Sequence, residues 1–147
     1  MSVDVGTVRV GIAATDPERR LAFPVETVKR GAGTIGRIAT LVVERSITAV
    51  FVGLPRTLAG SEGASAADAR VVAEALAQRL AVPVRLIDER FSTSMASGAL
   101  REAGRDSRRQ RGVIDQAAAV VILNLALDSE KSGILDSLTE PVAQGET

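Results

Sequence analysis

A chain of 147 residues suffices for one domain around one buried core and is too short for two enzyme-sized domains. Eighteen basic and eighteen acidic side chains cancel, so no overall field marks a nucleic-acid or membrane partner, and any such surface has to come from local clustering. Cys and His are both absent, which excludes a disulfide framework, a thiolate nucleophile, a zinc-cysteine centre and an imidazole base, and leaves acid-base work to Asp, Glu, Lys and hydroxyl groups.

In chain order, the start MSVDVG lacks the charged and apolar regions of a secretory signal, and no stretch approaches the ~18 apolar residues of a membrane helix, so a soluble, cytoplasmic protein is expected. Residues 3–5 and 8–12 are short β-branched runs around Gly6-Thr7, which reads as a hairpin, and residues 21–28 supply a third strand. Ile35, Ile38, Ala39, Leu41, Val42 and Val43 recur at helical spacing. The run TAVFVG at 48–53 then reads as a parallel strand buried on both faces. A loop at 58–63 leads to a helix over 66–81 that stops before Pro83, and VRLID at 84–88 is the next strand.

Ser92 offers an N-cap for a helix to about 104, residues 105–112 read as a basic loop, and 113–127 form an almost wholly apolar final helix. The expected fold is a three-layer α/β domain over 1–128, followed by a flexible tail over 129–147. Its mixed sheet has five strands, an antiparallel three-strand meander plus two parallel strands, flanked by helices.

Three carboxylates stand out. Asp4 lies inside the first strand between apolar neighbours, where a buried acid is costly unless compensated; it suits a cation, or equally a hydrogen bond to the Gly6-Thr7 turn. Glu89 follows directly on VRLID, at a strand end of the kind where open sheets place functional groups, although Asp88-Glu89-Arg90 also suits a solvated surface. Asp115 shares a helix face with Ala118, Ala119 and Ile122 and should point at the sheet, unless it merely complements the helix dipole as a first-turn acid.

Three carboxylates ~4 Å apart would repel by roughly 4 kcal/mol per pair at an effective dielectric near 20, so converging them requires a positive charge. Oxygen ligands without His or Cys favour Mg²⁺ or Mn²⁺, and two such ions can drive phosphodiester hydrolysis. Arg101, Arg105, Arg108, Arg109 and Arg111 crowd the segment before Asp115 and could grip phosphate oxygens; with Glu102 and Asp106 interspersed, a solvated loop is the competing reading.

Four stretches taken together resemble the YqgF family: DVGTVRVGIAATD at 4–16, VGLPRTLAGSEG at 52–63, DERFST at 88–93 and DQAAAVVIL at 115–123. The match runs from residue 1 to about 127 in the family's motif order. What the resemblance implies is a ribonuclease H-like fold, related to Holliday-junction resolvases, with Asp4, Glu89 and Asp115 as the catalytic metal site. It implies cytoplasmic action on structured or single-stranded nucleic acid, chiefly maturation of the small-subunit (16S) ribosomal RNA precursor, with DNA recombination and repair as an alternative. By the same carry-over Gly6, Thr7 and Arg9 belong to the active-site hairpin, and Arg56 in the Gly-Leu-Pro loop flanks the substrate. Gly6 has its own warrant, since a small residue lets a phosphate or metal approach the backbone. Two departures from the pattern are a short first strand and Phe91 where the family usually has Leu.

The leading expectation is a two-metal nuclease using Mg²⁺ or Mn²⁺ on RNA or DNA. One rival is a non-catalytic nucleic-acid-binding or ribosome-assembly module that binds through Arg105, Arg108, Arg109 and Arg111 without turnover. Another is an ATP-dependent phosphotransferase, suggested by Asp-x-Gly but disfavoured because such enzymes close two domains on the nucleotide. Sequence leaves open the choice between monomer and homodimer.

Overall fold

The computed structural model describes residues 1–90 and 108–145, and for 108–113 the backbone alone. Strands β1 (Ser2–Val5), β2 (Arg9–Thr15) and β3 (Ala22–Lys29) form the expected antiparallel meander, with Asp4 opposite Gly11 in the β1–β2 ladder. The first turn is closed by Gly6 N–H donating to the Arg9 carbonyl at 2.9 Å. A Cβ at Gly6 would lie 2.5 Å from that same oxygen, so this turn requires glycine.

Helix α1 (Thr34–Glu44) leads into β4 (Val50–Leu54), which is buried along its whole length because it pairs in parallel with β1 on one side and β5 (Val84–Asp88) on the other. Helix α2 (Ala64–Arg79) lies between them in sequence and buries Ala66, Ala69, Val72, Ala73, Leu76 and Ala77, an i, i+3, i+4 stripe of mostly small residues that lets the helix approach the sheet closely.

Alternation along the strands sorts side chains into two layers. Val3, Val10, Ile12, Val50, Val52, Leu54, Val84 and Leu86 pack with α1 and α2. Ala13, Phe51 and Ile87 point the other way, against Ala119, Ile122, Leu123 and Ala126 of the long helix α3 (Arg108–Lys131). Ser2 is on this second face, its hydroxyl donating to the Ala119 carbonyl, and Asp4 is two residues further along the same side.

Three expectations change. The sheet has six strands in the order β3-β2-β1-β4-β5-β6, not five, because β6 (Thr139–Pro141) adds antiparallel to β5. The residues after 128, expected as a flexible tail, carry the last turn of α3, the short helix α4 (Leu135–Leu138) and that strand. Fastenings run on past β6, where Val142 N–H donates to the Val84 carbonyl and Gln144 Nε2 to that of Val82. Helix α3 also starts at Arg108, so residues 108–112, read as loop, are helical; Arg and Gln are good helix formers and outweigh the single Gly112. The helix expected from Ser92 to 104 lies outside the described residues.

Candidate active site

β1, β4 and β5 run parallel, so their C-terminal ends share one edge of the sheet, and the alternation that sends Val3, Val52 and Leu86 toward α2 sends Asp4, Gly53 and Glu89 toward α3. Two glycines open the space. Gly11, opposite Asp4, has the backbone of Asp115 directly above it: a Cβ there would collide with the Asp115 carbonyl and lie 3.1 Å from the Asp115 Cβ. Gly53 is overlain by the Glu89 carboxylate, and a Cβ there would meet Glu89 Oε2 and come within 2.6 Å of Ile122 Cδ1. Asp115 therefore stands over the neighbour of Asp4 in β2, and Glu89 over the strand on its other side.

The electrostatics report the same convergence. Burial, with the Asp115 charge second, pushes the Asp4 carboxyl up to about 6. Burial, then the charges of Asp4 and Asp88, push Glu89 up to about 7, and Glu89 is only 6% exposed. Both carboxylates would gain from a cation between them. Asp115 is also held by Arg9, whose Nε donates to Oδ2 at 2.9 Å. Among the described residues no three acids already stand in an arrangement that could hold a metal ion. The donor chemistry nevertheless fits a hard divalent cation: three oxygen donors with no soft ligand, with Glu89 made harder to ionise by burial and the Asp4 charge, and Asp4 by burial and the Asp115 charge.

Arg9 thus meets the site through Asp115, from the hairpin that also carries Gly6 and the exposed Thr7. That hairpin is braced by a pair sequence reading missed. Arg30 Nη1 donates to the Gly6 carbonyl at 2.9 Å, and Arg30 makes a two-pronged ion pair with Asp68 of α2 at 2.6 and 3.0 Å. Nothing in the local sequence signals a partnership across 38 positions. Arg56, expected beside the substrate, stands among carboxylates, with Glu62 at 3.3 Å, Asp88 at 3.7 Å and Glu140 at 3.9 Å. Arg101 and Arg105, and the side chains of Arg108, Arg109 and Arg111, lie outside the described residues.

Gly53→Ala tests the close approach. The added methyl meets Glu89 and the buried Ile122, so the variant is expected to lose about 2 kcal/mol of stability, roughly 5 °C in melting temperature, with Glu89 displaced. An unchanged melting temperature measured by circular dichroism would contradict the packing described.

Residues 1–129 match the family described as "RuvX: Holliday junction resolvase". A relative from Mycobacteroides abscessus named "Putative pre-16S rRNA nuclease" is 55% identical over 135 residues, covering 89% of this chain and 81% of its own. Relatives of the same name from Thermobifida fusca and Mycobacterium leprae are 50% and 51% identical, covering 89% and 96% of this chain and 87% and 78% of theirs. A solved structure of Thermus thermophilus RuvC aligns with a TM-score of 0.49 at 19% identity, over 95% of this chain and 97% of that one. With the family match spanning nearly the whole chain and half the residues shared with these relatives, the chain belongs to the RuvX, or YqgF, family.

Proposed function

We propose that the protein is a metal-dependent nuclease that hydrolyses phosphodiester bonds in nucleic acid, with Asp4, Glu89 and Asp115 as its metal-holding carboxylates. The observation that carries this reading is the pair Asp4 and Glu89, a half-buried and a buried acid on one face and one edge of the sheet, each made harder to ionise by its surroundings, with Asp115 on the helix above. Burying acids this way costs stability unless a cation compensates. Family membership and the names of the relatives support the same chemistry.

Two divalent ions, Mg²⁺ or Mn²⁺, would activate water and stabilise charge on the leaving oxygen. The chain's own contribution is to hold the carboxylates on rigid strands and a helix, to exclude water around Glu89, and to steer Asp115 through the Arg9 guanidinium. Arg9 and the Gly6-Thr7 turn stand at the rim of the site, where a phosphate backbone would pass. In sequence, Arg105, Arg108, Arg109 and Arg111 precede Asp115 and would supply further charge for phosphate.

The relatives' name favours precursor 16S ribosomal RNA, processed in the cytoplasm, as the substrate. The family description favours a second reading, a four-way DNA junction. A panel of precursor 16S RNA, single-stranded RNA, single-stranded DNA and four-way junctions, each with Mg²⁺ and Mn²⁺, decides between them. Cleavage is expected to vanish in Asp115→Asn. Turnover persisting in that variant, after purification free of contaminating nuclease, would sink the carboxylate site; salt-sensitive binding with no cleavage by the wild type would favour the non-catalytic module.

A further inference from the structure

Beyond β4 and β5, on the other side of Asp88 from the carboxylate pair, lies a cluster the nuclease reading leaves unexplained. Arg70 of α2 makes two-pronged contacts with two acids at once: Nε and Nη2 to Glu62 at 2.8 and 2.9 Å, and Nη1 and Nη2 to Glu140 at 2.9 and 3.0 Å. Arg56 shares both acids more loosely, at 3.3 Å from Glu62 and 3.9 Å from Glu140, and its Nε is buried with no hydrogen-bond partner among the described residues. Next to it is an open cavity of about 250 Å³ whose walls include Arg56, Asp88 and Arg90 and whose roof is Ser137, Thr139 and Glu140.

Two guanidinium groups converging on one carboxylate is the geometry that also grips a phosphodiester, with paired N–H donors aimed at paired oxygens. Of the two carboxylates on this pair, Glu62 stays with both arginines and is 31% exposed, and Glu140 is the one more easily displaced. Glu140 is about half exposed, with its side chain 49% accessible. It sits on a three-residue edge strand ending in Pro141, which has no N–H to donate, after a four-residue helix that buries none of its side chains. Arg56 and Arg70, in contrast, are anchored on the β4 loop and on α2, about a quarter and a third exposed.

We propose that Arg56 and Arg70 form a phosphate-binding subsite for the nucleic-acid backbone, and that Glu140 occupies it as an internal competitor in the free protein. This rests on the nuclease reading and extends its substrate track from the carboxylates, across Asp88, to the edge of α2. Exchange needs only the Glu140 side chain to swing into solvent, with β6 left in place.

The test is the anisotropy of a labelled single-stranded RNA titrated with full-length protein in EDTA, which prevents turnover. Glu140→Gln is expected to bind about three- to fivefold tighter than wild type, the range set by the worth of one partly exposed ion pair. Its dependence on salt should also be steeper by about one released counterion. Adding Arg70→Ala to Glu140→Gln should cancel the gain. Glu44→Gln, which changes net charge equally at the far end of α1, should bind as wild type does. Equal or weaker binding by Glu140→Gln, or an equal gain in Glu44→Gln, overturns the subsite. Absence of binding by every variant and by wild type also overturns the subsite, while the nuclease reading on which it stands is decided separately by the cleavage panel.

Discussion

Asp4→Asn is expected to abolish divalent-dependent cleavage, by on the order of a thousandfold, and at the same time to make the protein more stable near neutral pH in metal-free buffer. The second effect follows from the raised carboxyl. Asp4 titrates at about 6 in the fold against an ordinary 3.8, so between those values the native protein keeps a proton that the unfolded chain has released. Stability from this group is complete below about pH 4 and is lost as pH rises through 6, and Glu89, raised to about 7 from 4.5, extends the loss to neutrality. A shift of this size corresponds to about 3 kcal/mol for one group. Because the two titrate together, the contributions do not add.

Asparagine removes one charge and relieves Glu89, so the melting temperature in EDTA should rise by about 5 °C near neutral pH and by little at pH ~4. Added Mn²⁺ should then raise the melting temperature of wild type and leave Asp4→Asn where it was. A variant less stable than wild type in EDTA, or one that still responds to Mn²⁺, would remove the physical basis for placing a cation here.

Gly11→Ala carries the largest expected structural effect. At Gly53 the obstacles are the side chains of Glu89 and Ile122; at Gly11 it is the carbonyl of Asp115, part of the backbone of α3, which can move only with the helix. That helix buries Ala118, Ala119, Ile122, Leu123 and Ala126 against the sheet and is tied to it by Ser2 and by Gln116, which donates to Thr27 at 2.9 Å. Lifting it strips contacts along its length, and a loss of more than about 3 kcal/mol is expected, with a melting temperature at least ~8 °C lower. Gly31→Ala is the control, since a Cβ there has nothing within 4 Å, and it should fall within ~0.5 kcal/mol of wild type. Equal behaviour of the two alanines in thermal unfolding would mean that α3 does not approach β2 as described.

Much of this arrangement was legible in the sequence where a signal was local. VRLID gave β5 residue for residue, the apolar run before Pro55 gave β4 within two positions, and the hairpin at Gly6 followed from β-branched runs around a glycine. The acids stood out because each interrupts or ends an apolar segment, although only chain folding brings Asp4 beside Gly11 and Asp115 above it. Strand β6 was illegible for a physical reason. Thr139, Glu140 and Pro141 have no apolar alternation, and they pair because β5 offers an open edge. The ion pairs of Arg30 with Asp68 and of Arg70 with Glu140 join different elements across 38 and 70 positions, which no spacing rule can see.

The strand order has a bearing on the life of the chain before it is complete. β1 emerges first yet takes its place beside β4, and the helix bearing Asp115 closes over it only after more than a hundred further residues. On the proposed site, a nascent chain on the ribosome would hold its acids apart until α3 folds over the sheet. For an enzyme whose target would be ribosomal RNA itself, such late assembly spares the particle that is making it.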